Sequence, residues 1–386
     1  YDGRAEPCPS DRPPGRGNHR EQPSAFPSRQ RPATMPARSG ASARPRPAAR
    51  TARTPLPPVP DHDDAPLLSD FSPVSYETWR ARVERDLGRP VTALDVRTVE
   101  GATLRPLYTA EDGEPGPRPP MRPPGWSLAL EYATGEPEAL ARALRCDAAR
   151  GLEVAWIRLH DHLRADAAMV GATAGCVLVP EALPSLAAAA GPSVALQLDA
   201  GLMAPALVGA LLAVRGSDGP ADAVLCDPLA VLASTGGLGT SLDLAYARLA
   251  EATADAAARR SATNAMRTVL VDAVALHDAG ASAEQEVAYA IAGGLEHLRR
   301  LEAHGLPPAQ TMGHLVLRMA VGGDLLIEVA KLRAVQRLWA CVRAHAGLDG
   351  APVTPLWVRS SWRASTRRDP WVNLLRGSVA GFAAAV

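Results

Sequence analysis

Three short stretches of this 386-residue chain combine residue types at a spacing that could do chemistry. His160-Asp161-His162 offers two imidazoles and a carboxylate, the donor types of a zinc site. On an extended segment, however, His160 and His162 share one face while Asp161 points to the other. No third ligand is spaced to join them, so no metal site is expected there. His277-Asp278 is the best polar pair at the end of an apolar run, and its expected role is to cap the helix that follows. Gly236-Gly-Leu-Gly239 would cradle a phosphate if it opened a helix. It lacks the Gly-Lys-Ser/Thr or Gly-x-Gly-x-x-Gly context of such loops and reads as a plain connection. Asp61-His-Asp-Asp64 sits in a polar lead-in and reads as solvated.

The elements that must position these residues alternate between apolar runs and amphipathic helices. Strands are expected at Trp126–Tyr132, Val154–His160, Ser193–Leu198, Ala223–Cys226, Thr268–Val274, His314–Met319 and Pro355–Arg359. Helices are expected between them, over Glu138–Leu144, Ala204–Val214 and Leu242–Arg260. Ser282, with Gln285 three residues on, has capping-box spacing and opens a longer helix. Val287, Ile291, Leu295 and Leu298 recur on one face of it, and Gly305 with Pro307 and Pro308 stops it. Another helix starts near Asp324 and repeats Leu325, Val329, Leu332 and Trp339, and a last one begins near Pro370. Gly175–Pro180 is an extra short apolar run. Repeated strand–helix units of this length predict an α/β fold with a TIM-type barrel. Seven strands are legible, so the barrel over 125–386 is expected to be incomplete. Asp161, Asp227 and Arg359 are the polar residues expected nearest the strand ends.

Before the barrel come two different segments. Residues 1–60 are rich in Arg, Pro, Ser and Ala and nearly free of large apolar side chains before Leu56. They cannot bury enough surface to offset ordering entropy and are expected to be disordered. Residues 66–124 form an expected arm. Ser75 is placed to cap a helix carrying Trp79, Val83 and Leu87 on one face, followed by a hairpin-like stretch over Thr98–Asp112. Lys plus Arg and Asp plus Glu are 41 each, which argues against nucleic acid as a partner. No run approaches the ~18 apolar residues of a membrane span. The five cysteines form no Cys-x-x-Cys, fitting thiols in a reducing cytoplasm. The first residue, Tyr1, and the apolar pattern at Val386 read as breaks in a longer frame.

Asp278-Ala-Gly-Ala281 ahead of a long helix, and Ile327-Glu-Val-Ala-Lys-Leu-Arg-Ala334 with Leu338-Trp339, resemble the barrel domain of the methylmalonyl-CoA mutase family. Phe71-Ser-Pro-Val-Ser-Tyr-Glu-Thr-Trp79, Pro106-Leu-Tyr-Thr-Ala-Glu-Asp112 and Asp369-Pro-Trp-Val-Asn-Leu-Leu-Arg376 extend the resemblance over roughly 71–386. The first of these three is closer to the family's small, non-catalytic chain. The resemblance implies an isomerase that interconverts methylmalonyl-CoA and succinyl-CoA with adenosylcobalamin, in a heterodimer with a catalytic large subunit that binds the cofactor.

The same alignment implies that this chain lacks the catalytic residues. The family's Tyr-His pair falls on Val274 and Ala275, its substrate-binding Gln on Arg359, and its Gln-Asn-Asp on Leu225-Cys226-Asp227. Pro115–Gly125 replaces a tyrosine-bearing motif, and the Asp-x-His-x-x-Gly cobalamin ligand motif is absent. No catalytic, cofactor-binding or metal-binding residue is therefore expected on this chain. The alternatives are an acyl-CoA mutase acting alone and a barrel enzyme of new chemistry built on Asp161, Asp227 and Arg359.

Overall fold

The computed structural model describes residues 72–113, 125–168, 174–216, 219–259 and 266–386. The expected extension over 1–60, Asp61–Asp64 and all of Pro115–Gly125 but its last residue lie outside these. Two compact units are present. In one, α1 (Tyr76–Leu87) is capped by Ser75, whose Oγ accepts the Thr78 N–H at 3.2 Å, and is ended by Gly88 in the left-handed region at φ 64°. The capping residue and the stop follow from side-chain chemistry and from the backbone freedom of glycine. No residue of α1 is buried, and Tyr76 and Trp79 lie ring to ring at 5.5 Å.

The other unit contains the sheet. It begins with a short antiparallel hairpin, β1 (Val96–Arg97) with β2 (Thr103–Leu104). The strand–helix sequence then runs β3 (Ala129–Tyr132), β4 (Thr134–Gly135), α2 (Pro137–Ala148), β5 (Val154–Arg158), α3 (Asp161–Ala165), β6 (Gly175–Cys176) and α4 (Leu183–Ala190). It continues with β7 (Ala195–Asp199), α5 (Ala204–Arg215), β8 (Ala223–Cys226), α6 (Pro228–Thr235), α7 (Leu242–Arg259) and β9 (Arg267–Asp272). The last third comprises α8 (Val274–Asp278), α9 (Ala283–Ala303), α10 (Pro308–His314), β10 (Leu315–Val321), α11 (Leu325–His345), β11 (Leu356–Ser360) and α12 (Pro370–Ala385).

Seven strands form one parallel sheet in the order β11-β10-β9-β8-β7-β5-β3. The expected extra run Gly175–Pro180 supplies β6, which pairs with β4 beside the main sheet. Parallel strands covered on both faces read as continuous apolar runs, and β7, β8 and β10 are buried along their whole length. The sheet curls strongly. Glu131 on the edge strand β3 meets Arg318, one strand in from the opposite edge, at 3.1 Å. Trp156 on β5 meets Trp357 on β11 edge to face at 5.1 Å. This is a TIM-type barrel with seven strands, in which β3 and β11 remain edges with no strand pairing them to each other among the described residues. Trp126, Leu128 and Leu130 are exposed along the β3 edge.

The helices take their places for stated reasons. The capping box on α9 is complete: Ser282 Oγ accepts the Gln285 N–H and Gln285 Oε1 accepts the Ser282 N–H, each at 3.2 Å. Gly294 lets α9 approach α11, since a Cβ there would lie 2.6 Å from the Trp339 ring. One expectation is corrected. The strand expected to reach Val274 ends at Asp272, because the Asp272 Oδ1 accepts the Val274 N–H and turns the chain into α8.

Candidate functional site

Side chains at the C-terminal ends of barrel strands face a common mouth, and that is where such barrels do their chemistry. Here those ends and the barrel interior behind them carry an unusual load of charge for such apolar strands. Arg318, in the middle of β10, is 4 % exposed. Its guanidinium lies 4.0 Å above the centre of the Trp156 ring, 3.1 Å from Glu131 and 3.5 Å from Asp272. Beside it, Arg164 from α3 holds Asp199 at the end of β7 at 3.0 Å and Asp161 at 3.3 Å, and Arg158 holds Asp161 at 2.6 Å. Burying a charge is costly unless it is paired, and these seven residues pair among themselves. Burial pushes the Asp272 carboxyl up to about 6, against the pull of Arg318 and Arg164 and with the repulsion of Asp199 and Asp227.

A second buried network joins the ends of β9, β10 and β11. Glu286 of α9 accepts the Ala320 N–H at 2.6 Å and meets Lys331 Nζ of α11 at 2.9 Å and His277 Nδ1 at 3.3 Å. Lys331 also donates to the Ala320 carbonyl at 2.7 Å and lies 2.6 Å from Glu328. Glu328 Oε1 in turn accepts the Gly322 N–H at 2.8 Å. Burial opposes the charge on Glu286, but the His277 contact and Lys331 hold its carboxyl below the usual range. The Glu-x-x-Lys pair of the α11 sequence therefore clamps two helices to the end of β10.

The residues singled out in the sequence fall as follows. His160-Asp161-His162 is not on a strand: β5 ends at Arg158, His160 stands at the start of α3, and Asp161 is the first residue of that helix. Asp161 faces arginines, and the two histidine rings contact each other through their Nδ1 atoms. Among the described residues no group of three or more His, Cys, Asp and Glu is placed to hold a metal ion. His277 and Asp278 do not cap α9, a task that Ser282 performs. His277 bonds Glu286 and Ser361, and Asp278 binds Arg359 at 2.6 Å. Gly236 ends α6 in the left-handed region and Gly239 donates to the Ala165 carbonyl, so this stretch is a connecting loop.

Val274 is buried at the start of α8, with Ala275 half-buried beside it. Leu225 and Cys226 are buried, and burial, reinforced by Asp227, raises the Cys226 thiol far above its usual range. Asp227 is fully committed: it caps α6 through the Ala230 N–H at 2.9 Å and accepts the Asp272 N–H at 2.8 Å. It also accepts the Tyr289 hydroxyl at 3.2 Å and lies 3.3 Å from His297. Burial opposes its charge, yet His297 and the N–H groups keep its carboxyl below the usual range. Arg359 stacks over Trp362 at 4.3 Å. The Arg318, Arg164, Glu131 and Trp156 assembly was not foreseen. Its only signal was a charged residue inside otherwise apolar runs, at Arg318 in Leu315–Val321 and Glu131 in Ala129–Tyr132.

Comparison with known proteins bears on this geometry. Residues 218–386 match the family model described as "Methylmalonyl-CoA mutase". The chain is 33% identical over 357 residues to the methylmalonyl-CoA mutase small subunit of Streptomyces virginiae, covering 85% of this chain and 54% of that protein. It is 28% identical to the small subunit from Propionibacterium freudenreichii subsp. shermanii, covering 83% and 52%. Similarity to the large subunit from Streptomyces virginiae is 26% over 84% of this chain and 49% of that one. The chain spans about half the length of the curated relatives it matches.

Proposed function

The chain belongs to the methylmalonyl-CoA mutase family, and on that premise we propose that it is the non-catalytic chain of a heterodimeric, adenosylcobalamin-dependent methylmalonyl-CoA mutase. Its partner is the catalytic large subunit, and its place is the cytoplasm. The observation that carries this reading is the filled barrel interior. Arg318, from the middle of β10, stacks on Trp156, with Glu131 and the β9-end Asp272 against it, and fills the space behind the mouth of the barrel. A barrel that hosts a radical rearrangement needs polar groups that are free to meet the substrate. Here the charged groups are spent on one another, and Val274, Ala275, Leu225 and Arg359 stand at the family's polar positions. These residues do not fit a corrin ring with its adenosyl group, so the cofactor is assigned to the partner and no step of the rearrangement to this chain.

Greater similarity to small than to large subunits supports the same reading. So does the exposed apolar surface of the arm, where Val74 is 67 % exposed and Tyr108 53 %, because sizeable apolar patches on soluble proteins mark interfaces. No helix among the described residues is long and apolar enough to cross a membrane. The test is co-expression with a large-subunit mutase chain followed by size-exclusion chromatography and light scattering. A one-to-one complex is expected, weakened by deletion of residues 66–112. Undiminished affinity after that deletion would remove the arm from the interface, and no complex at micromolar concentration would overturn the subunit reading.

A further inference from the structure

We propose that Ser361, His277 and Glu286 form a second chemical site, a serine nucleophile with its base and an orienting carboxylate, that hydrolyses small esters or thioesters carrying a negative charge. Its geometry is independent of the mutase assignment. Ser361 Oγ lies 2.7 Å from His277 Nε2, and His277 Nδ1 lies 3.3 Å from Glu286 Oε2. All three are buried, at 4 %, 8 % and 0 % exposure. They come from the end of β11, from α8 after β9, and from α9, so they meet at the C-terminal face of the barrel.

Glu286 already accepts from the Ala320 N–H and from Lys331, so it stands as an acceptor toward His277 Nδ1. In its neutral form with the proton on Nδ1, His277 presents the lone pair of Nε2 to the serine hydroxyl. This is the arrangement that makes an imidazole a general base for an adjacent hydroxyl. Arg363 fastens the two loops together by donating to the carbonyls of His277 at 2.9 Å and Ala281 at 3.0 Å. The other contact of Ser361 Oγ is with the Ala364 N–H at 3.3 Å, beyond the usual range for such a bond. It ties the exposed turn Trp362–Ala364 to the serine weakly, and access of a substrate to Oγ requires that turn, with its Arg363 contacts, to move.

The reaction balances with solvent water as the only co-reactant. Ser361 Oγ forms a bond to the acyl carbon while its proton passes to His277 Nε2. Collapse breaks the bond to the alkoxide or thiolate, which leaves with that proton. Water then attacks the acyl-serine, gives a proton to Nε2, and the proton returns to Oγ as the carboxylic acid departs. Charge preference follows from the neighbouring sequence, where Arg367 and Arg368 are exposed in the segment after the serine.

The test uses the full chain and a fluorophosphonate probe, with peptide mapping by mass spectrometry, and release of nitrophenol from p-nitrophenyl acetate and from p-nitrophenyl hydrogen succinate. The expected result is an adduct on Ser361 and a rate at least about 100-fold above that of Ser361→Ala, the scale of general-base assistance. The anionic ester should be preferred, and Arg367→Ala with Arg368→Ala should reduce that preference. Glu286→Gln should slow labelling and lower the pH at which it is half-maximal, because a negative neighbour of the base is lost. If Ser361→Ala does not fold, the mapped position in the unaltered chain decides alone. No adduct, or an adduct elsewhere, overturns the proposal, as does esterase activity unchanged in a folded Ser361→Ala.

Discussion

Replacing Lys331 by methionine should be among the most damaging single changes in the barrel. Lys331 is 5 % exposed, and its ammonium lies 2.9 Å from Glu286 and 2.6 Å from Glu328 and donates to the Ala320 carbonyl. Methionine preserves most of the stem's packing, so the loss is electrostatic. Two carboxylates are left with one cation fewer, and both are held in place by backbone N–H groups of the β10 end. Breaking a buried ion pair by removing one partner costs about 3–5 kcal/mol. For a barrel of this size each kcal/mol moves the thermal midpoint by roughly 2–4 °C or less. A fall on the order of 10 °C is therefore expected by circular dichroism. The loss should depend on pH with a definite sign. Lys331 holds Glu286 ionised in the native chain, whereas in the variant the uncompensated carboxylates bind protons more readily than in the unfolded state. The variant should thus recover as pH falls from 8 to 5, and the gap to the native chain should narrow. Adding Glu286→Gln to Lys331→Met should restore part of the stability, because neutral partners need no counterion. A loss below about 1 kcal/mol, or a gap that widens at low pH, would refute the clamp.

Other consequences are equally direct. Gly294→Ala places a methyl 2.6 Å from the Trp339 ring, so a loss of about 1–3 kcal/mol is expected in urea titrations, typical of overpacking. Asp272, raised to about 6 by burial, favours its protonated form in the folded chain. Its contribution is complete below the unfolded value near 4 and is lost as pH rises through about 6, so Asp272→Asn should flatten the fall in stability across that window. Leu130→Lys on the exposed β3 edge should raise monomer content without lowering the thermal midpoint, since charge on an edge blocks strand pairing with other chains.

Most of the architecture was legible because the strands are apolar runs bounded by Gly, Pro and charged turns. The capping box at Ser282 and the stop at Gly305 set the limits of α9 almost to the residue. The strand before it was read two residues too long, since Val271-Asp-Ala-Val-Ala-Leu276 passes from strand to helix with no Gly or Pro to mark the change. Only the turn made by the Asp272 side chain does so. His160-Asp161-His162 was misplaced for a related reason: α3 is a single short turn whose start carries no Ser, Thr, Asp or Asn cap. The buried ion pairs were out of reach of any local pattern. Glu131 and Arg318 are 187 residues apart and meet only because the sheet curls. The family resemblance implies apolar residues, Val274 and Ala275, at a polar pair of positions, but nothing local in the sequence foretells that Arg318 and Trp156 fill the barrel interior.

Turnover of methylmalonyl-CoA to succinyl-CoA, followed with adenosylcobalamin by the purified chain alone and by its co-purified complex with a large-subunit chain, tests the central claim most directly. No conversion by the isolated chain is expected at any cofactor concentration, and conversion by the complex should survive Arg359→Ala in this chain. Cobalamin-dependent conversion by the isolated chain would contradict it.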